Sequence, residues 1–125
     1  MGRLFTKPGV DYGEGLAPAG HVVYNVVKRL TAAYDFNMTV TSARDGNHSG
    51  PNDPHKRGEA LDFRSKHLTA DEKARVLADI QRVLYAEPRR FYAFLEDPGQ
   101  PNEHFHVQLR RGLRNYPASK LADIA

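Results

Sequence analysis

His55-Lys56-Arg57-Gly58-Glu59-Ala60-Leu61-Asp62-Phe63-Arg64 is the stretch on which the fold turns. In a strand, Leu61 and Phe63 face one side, while Ala60, Asp62 and Arg64 face the other. Asp62 then sits in mid-strand, where a carboxylate is unfavourable, and Gly58 and Ala60 clear side-chain bulk around it. Close approach of a metal ion fits that pattern. A second stretch behaves the same way. In Asn102-Glu103-His104-Phe105-His106-Val107-Gln108-Leu109, the core face is Phe105, Val107 and Leu109, and the other face is His104, His106 and Gln108. If the two strands are neighbours, His55, Asp62 and one histidine of the last strand converge as nitrogen, oxygen and nitrogen ligands. Three protein ligands leave a fourth zinc position for water, the arrangement of a catalytic site. Glu103, at the mouth of the strand, is the natural acceptor for a proton of that water. Strict alternation sets Glu103 on the opposite face, but it directly follows a turn, where the pleat need not hold.

Working outward, Val22, Val23, Val26, Val27, Leu30 and Ala33 recur at spacings of three and four after Pro18, which predicts a first helix ending near Asp35. Met38 to Ala43 alternates β-branched residues as a strand does, and Glu59 to Arg64 makes a second strand. Thr69-Ala70-Asp71-Glu72 is a capping box that opens a second helix, whose apolar face is Val76, Leu77, Ile80, Val83 and Leu84 and which Pro88 stops after Ala86. Phe91 to Glu96 is a third strand, 97–102 a turn, and His104 to Arg110 a fourth strand. The glycine-rich segment 1–16 reads as an extended arm, ahead of one domain over 17–125. The expected fold is α+β: a small antiparallel sheet of about four strands with two main helices on one side.

A chain of 125 residues supplies one core rather than two, and 40% apolar residues are enough to build it. With no cysteine, disulfide frameworks, thiolate zinc sites and a Cys nucleophile are excluded, so any metal site draws on the 6 histidines and the carboxylates. The net charge of +3 suits polyanionic surroundings without identifying them. No apolar run reaches the roughly 18 residues of a membrane span, and the opening residues lack the apolar stretch of a secretory signal.

His55-x-x-Gly58-x-Ala60-x-Asp62 followed by Glu103-x-x-His106 resembles the zinc peptidases of the M15 type, the D-Ala-D-Ala carboxypeptidases and phage L-Ala-D-Glu endopeptidases related to the Hedgehog signalling domain. Val40-Thr41-Ser42-Ala43-Arg44 looks like that family's strand ending in arginine. The resemblance implies one Zn2+ per chain on His55, Asp62 and His106. It also implies Glu103 as general base and Arg44 as polariser of the scissile carbonyl. The Glu-x-x-His spacing of the family, not the strand pattern, selects His106 over His104. His104 and His48 then become candidate substrate contacts. So does Asp53, which stands where the family usually has serine, two residues before the first ligand.

The function so implied is hydrolysis of amide bonds in peptidoglycan stem peptides, as a carboxypeptidase or an endopeptidase, by a monomer. The protein would be made in the cytoplasm and reach the wall by release or as part of a phage particle. A rival expectation is a zinc-retaining but inactive binding or structural module of a phage or wall-associated assembly. Nucleic acid is not an expected partner, because the basic tail (Arg110, Arg111, Arg114) lacks interleaved aromatics.

Overall fold

Seven elements follow one another in the computed structural model, which describes residues 1–45, 53–85 and 90–110. They are β1 (Leu4–Thr6), α1 (Pro18–Thr31), β2 (Met38–Ser42), β3 (Ala60–Arg64), α2 (Ala70–Leu84), β4 (Phe91–Glu96) and β5 (His104–Leu109). Pro18 occupies the first turn of α1, where its missing N–H costs nothing. The Val22, Val23, Val26 and Val27 stripe is buried. The capping box forms: Thr69 Oγ1 accepts from Glu72 N at 3.1 Å, and Glu72 Oε1 accepts from Thr69 N at 2.9 Å.

The strands form one sheet in the order β1-β2-β3-β5-β4. Neighbours run antiparallel except β1, which pairs parallel to β2. Val22, Val23, Val26 and Val27 of α1 and Val76, Ile80 and Leu84 of α2 share one core cluster with Leu61, Phe63, Phe91, Ala93, Phe105, Val107 and Leu109 of the sheet. Both helices therefore cover one face. The other face presents the alternate residues, among them Asp62, His104, His106, Tyr92 and Phe94.

Three expectations need correction. The sheet has five strands and is mixed, because the supposed arm contributes β1, with Leu4 paired to Met38 and Thr6 to Val40. Three residues are too few to show a period, and pairing with a strand more than thirty residues away is not a local property. Leu4, Val10, Tyr12 and Leu16 of the same segment pack against the core, so it is part of the domain rather than an arm. Finally, α1 closes at Thr31, whose Oγ1 donates to Val27 O at 2.6 Å. Beyond it the chain winds on through tighter three-residue bonds, Ala33 N to Leu30 O and Tyr34 N to Thr31 O. The Pro88 stop and the basic tail from Arg111 onward lie outside the described residues. Among the described residues no helix is long and apolar enough to cross a membrane.

Candidate metal centre

The open face of β3 and β5 carries the site. Their register sets Asp62 opposite His106 and Arg64 opposite His104, while β4 sets Glu96 opposite His104 and Phe94 opposite His106. On the other flank, β2 carries an irregularity between Val40 and Ser42 that brings Ser42 opposite Asp62. Such bulges re-aim a strand beside a site. Ala43, just past it, offers its carbonyl to His55.

His55 arrives on the turn that precedes β3. Asp53 Oδ1 accepts from His55 N at 2.9 Å, and Gly58 closes the turn with N donating to His55 O at 3.1 Å. Gly58 has φ +71°, and a Cβ there would lie 2.8 Å from Ala17 N and 2.9 Å from Arg44 Nη2, so glycine is needed for both conformation and space. Asp53 thus helps to form the turn that presents His55. A serine hydroxyl can make the same kind of bond.

The three ligand candidates converge as expected. His55 Nε2 lies 3.2 Å and His106 Nδ1 2.9 Å from Asp62 Oδ1. Tetrahedral zinc with bonds of about 2.0–2.1 Å sets neighbouring ligand atoms roughly 3.3 Å apart, so the donor set fits this ion. The second nitrogen of each ring is anchored. His55 Nδ1–H donates to Ala43 O at 2.8 Å, and His106 Nε2–H donates to Gln108 Oε1 at 2.7 Å. Gln108 is oriented by its own amide donating to Leu109 O at 3.1 Å. A carbonyl oxygen accepts only from N–H, so a metal ion would meet His55 Nε2 and His106 Nδ1 as lone-pair donors once it displaces the protons these two nitrogens share with Asp62. All three residues are buried. Burial alone would raise the Asp62 carboxyl, but the hydrogen bonds from His106 and His55 outweigh it and hold Asp62 well below the usual carboxylate range. Burial likewise opposes charge on His106, yet Asp62, Gln108 and Glu96 leave it raised.

No protein-family model, curated protein or solved structure matches this chain. The likeness to zinc peptidases therefore rests on the motif residues, whose fate in the structure divides sharply.

Glu103 does not join the cluster. It lies beyond His104 on the helix-covered face, where Lys73 Nζ of α2 donates to its Oε1 at 3.1 Å and lies 2.7 Å from Oε2. Ser65 Oγ donates to Oε2 at 3.0 Å and Gly99 N to Oε1 at 3.3 Å. The Lys73 bond, with those from Gly99 and Ser65, outweighs burial and pulls its carboxyl below the ordinary 4.5. Strand alternation holds after the turn after all, so the general-base assignment is corrected: Glu103 ties α2 to the sheet. Arg44 is likewise committed elsewhere. Its Nε donates to Gly15 O and its Nη1 to Lys56 O, each at 2.9 Å, clamping the N-terminal segment to the His55 turn. His48 lies outside the described residues.

The ionisable neighbours that the fold does bring to the ligand atoms are His104, as expected, and Glu96, which the sequence reading missed. His104 Nε2 lies 2.9 Å from Glu96 Oε1 and 3.5 Å from Asp62 Oδ2, and Glu96 Oε1 is 3.8 Å from His106 Nδ1. Parity on β4 held the signal for Glu96, since it shares a face with Tyr92 and Phe94. Strand order, which only the folded sheet supplies, was needed to use it. Phe94 is 42% exposed with its ring 5.1 Å from that of His106, and Tyr92 is 38% exposed on the same face, so an apolar wall flanks the cluster.

Proposed function

We propose that this protein is a zinc-dependent hydrolase that cleaves amide bonds in the stem peptides of bacterial wall peptidoglycan. The observation that carries the reading is the buried His55 Nε2, Asp62 Oδ1 and His106 Nδ1 set, with each imidazole steered by a carbonyl acceptor on its other nitrogen. Zinc on these three donors would keep a position for water, lower the pKa of that water toward neutrality and polarise a carbonyl. The chain's own residues do the rest. Ala43 O and Gln108 Oε1 orient the ligands, and the Asp53 and Gly58 turn presents His55. Phe94 and Tyr92 would offer a surface for the apolar parts of a substrate, and the ionisable groups beside the ligand atoms are His104 and Glu96 rather than Glu103. The wall-peptide substrate is supported by the motif resemblance and by a net charge of +3, which suits the carboxylates of stem peptides.

A second reading has its own support. Glu103 and Arg44, the two groups that would supply proton transfer and carbonyl polarisation, are spent on structure, as a zinc-retaining module without activity would allow. One experiment separates the two. Zinc-loaded protein is incubated with purified wall fragments and the products are read by mass spectrometry. New amine and carboxyl termini within stem peptides support hydrolysis. Zinc binding without any cleavage leaves the inactive module.

A further inference from the structure

His104 stands among oxygens that the first ligand set does not use. Its Nδ1 lies 2.6 Å from Asn102 O and its Nε2 lies 2.9 Å from Glu96 Oε1 and 3.5 Å from Asp62 Oδ2. Nδ1–H can donate to Asn102 O, and a cation at Nε2 would then meet one nitrogen and two carboxylate oxygens, a donor set of opposite charge to its own. Asp62 is placed to serve two ions at once. Its Oδ1 faces His55 and His106, and its Oδ2 faces His104. Among the described residues, Glu96 and His104 belong with His106 to a second group whose candidate ligand atoms lie within 4.8 Å of one another, and with His106 given to the first ion the third donor is Asp62 Oδ2, 3.5 Å from His104 Nε2.

We propose that the open face binds a second divalent cation, held by His104 Nε2, Glu96 Oε1 and Asp62 Oδ2, with the Asp62 carboxylate bridging it to the ion on His55 and His106. The proposal rests on the metal-binding part of the reading above. Register alone delivers the donors, because β5 places His104 and His106 two residues apart on one face, β3 brings Asp62 and β4 brings Glu96. Asn102 O is placed to do for His104 what Ala43 O does for His55, accepting from Nδ1 and leaving Nε2 to an ion. One imidazole and two carboxylates suit zinc or manganese. Carboxylate-bridged pairs about 3.5–4 Å apart are a recurrent hydrolytic arrangement, in which the two ions together stabilise attacking and leaving oxygens. The second position is the more open of the two, since the Glu96 side chain is 41% exposed against 3% for His55, so its ion is the more readily exchanged.

The test uses the metal-free full chain, titrated with Zn2+ by calorimetry and with Co2+ by absorption and electron paramagnetic resonance. Wild type is expected to take two equivalents, the second more weakly, with the Co2+ resonance changing as the second equivalent couples to the first. Glu96→Gln, a near-isosteric change at a half-exposed position, and His104→Ala are each expected to lose the second equivalent and keep the first. Saturation of wild type at one equivalent overturns the proposal, even if Glu96→Gln weakens that single ion, because Glu96 would then be a further ligand of the first. One equivalent leaves the hydrolase reading intact, whereas none removes both.

Discussion

Replacing Glu103 by alanine distinguishes a structural carboxylate from a general base. The substitution removes the acceptor shared by Lys73 Nζ, Ser65 Oγ and Gly99 N. Ser65 is fully buried, so its hydroxyl loses its partner without gaining water, a loss of about 1–3 kcal/mol. Lys73 is 24% exposed and rehydrates in part, so the charged bond contributes less than the roughly 1.5–3 kcal/mol such bonds are worth when intact. Shared partners do not add, and a net loss of about 2–4 kcal/mol is expected. For a domain of this size that lowers Tm by roughly 10 °C. Zinc affinity should stay within about threefold of wild type, because the carboxylate lies on the face away from the ligands. Thermal unfolding followed by circular dichroism, with zinc binding measured at low temperature, reads both quantities. A Glu103→Ala protein that keeps its Tm and its zinc but loses hydrolysis would refute this reasoning and return Glu103 to the chemistry.

Other outcomes follow from the same geometry. The stability difference between wild type and Glu103→Gln should be complete above about pH 4.5, because the folded carboxyl is depressed below that ordinary value. It should fade as pH falls through the folded value, where both states of wild type become protonated; a difference independent of pH in acid urea titrations would deny the Lys73 tie. His55→Ala and His106→Ala should each abolish tight zinc binding while the sheet still forms, read by metal analysis after dialysis, and full occupancy in either folded variant would refute the ligand set. Gly58→Ala should cost at least ~2 kcal/mol, since it adds a Cβ at φ +71° against Ala17 N and Arg44, and should weaken zinc binding by displacing the His55 turn; unchanged Tm and affinity would contradict the geometry. Arg44→Lys should lower stability by about 1–2 kcal/mol by losing the bridge between Gly15 O and Lys56 O. A fall in turnover at unchanged Tm would instead place Arg44 at the substrate.

What the sequence determined by itself was the local grammar. Alternation in 60–64 and 104–109 sorted Leu61, Phe63, Phe105, Val107 and Leu109 to the core and Asp62, His104 and His106 to the open face, because side-chain direction in a strand is set by parity alone. The Thr69 and Glu72 capping box and the valine stripe of α1 are equally local, so the start of each helix and its buried face were legible, while the end of α1 was not. The His55, Asp62 and His106 set came from motif spacing, and the choice of His106 over His104 needed the resemblance because both share a face. Only the tertiary structure decided which strands are neighbours. That is why β1 joined the sheet unannounced, and why Glu96 of an edge strand reached His104. It also decided where the long polar side chains spend their donors and acceptors. Glu103 and Arg44 carry the residue types that hydrolysis asks for, at the spacing of the motif. Yet a flexible side chain goes to whichever partners packing brings within reach: for Glu103 these were Lys73 and Ser65, and for Arg44 the carbonyls of Gly15 and Lys56.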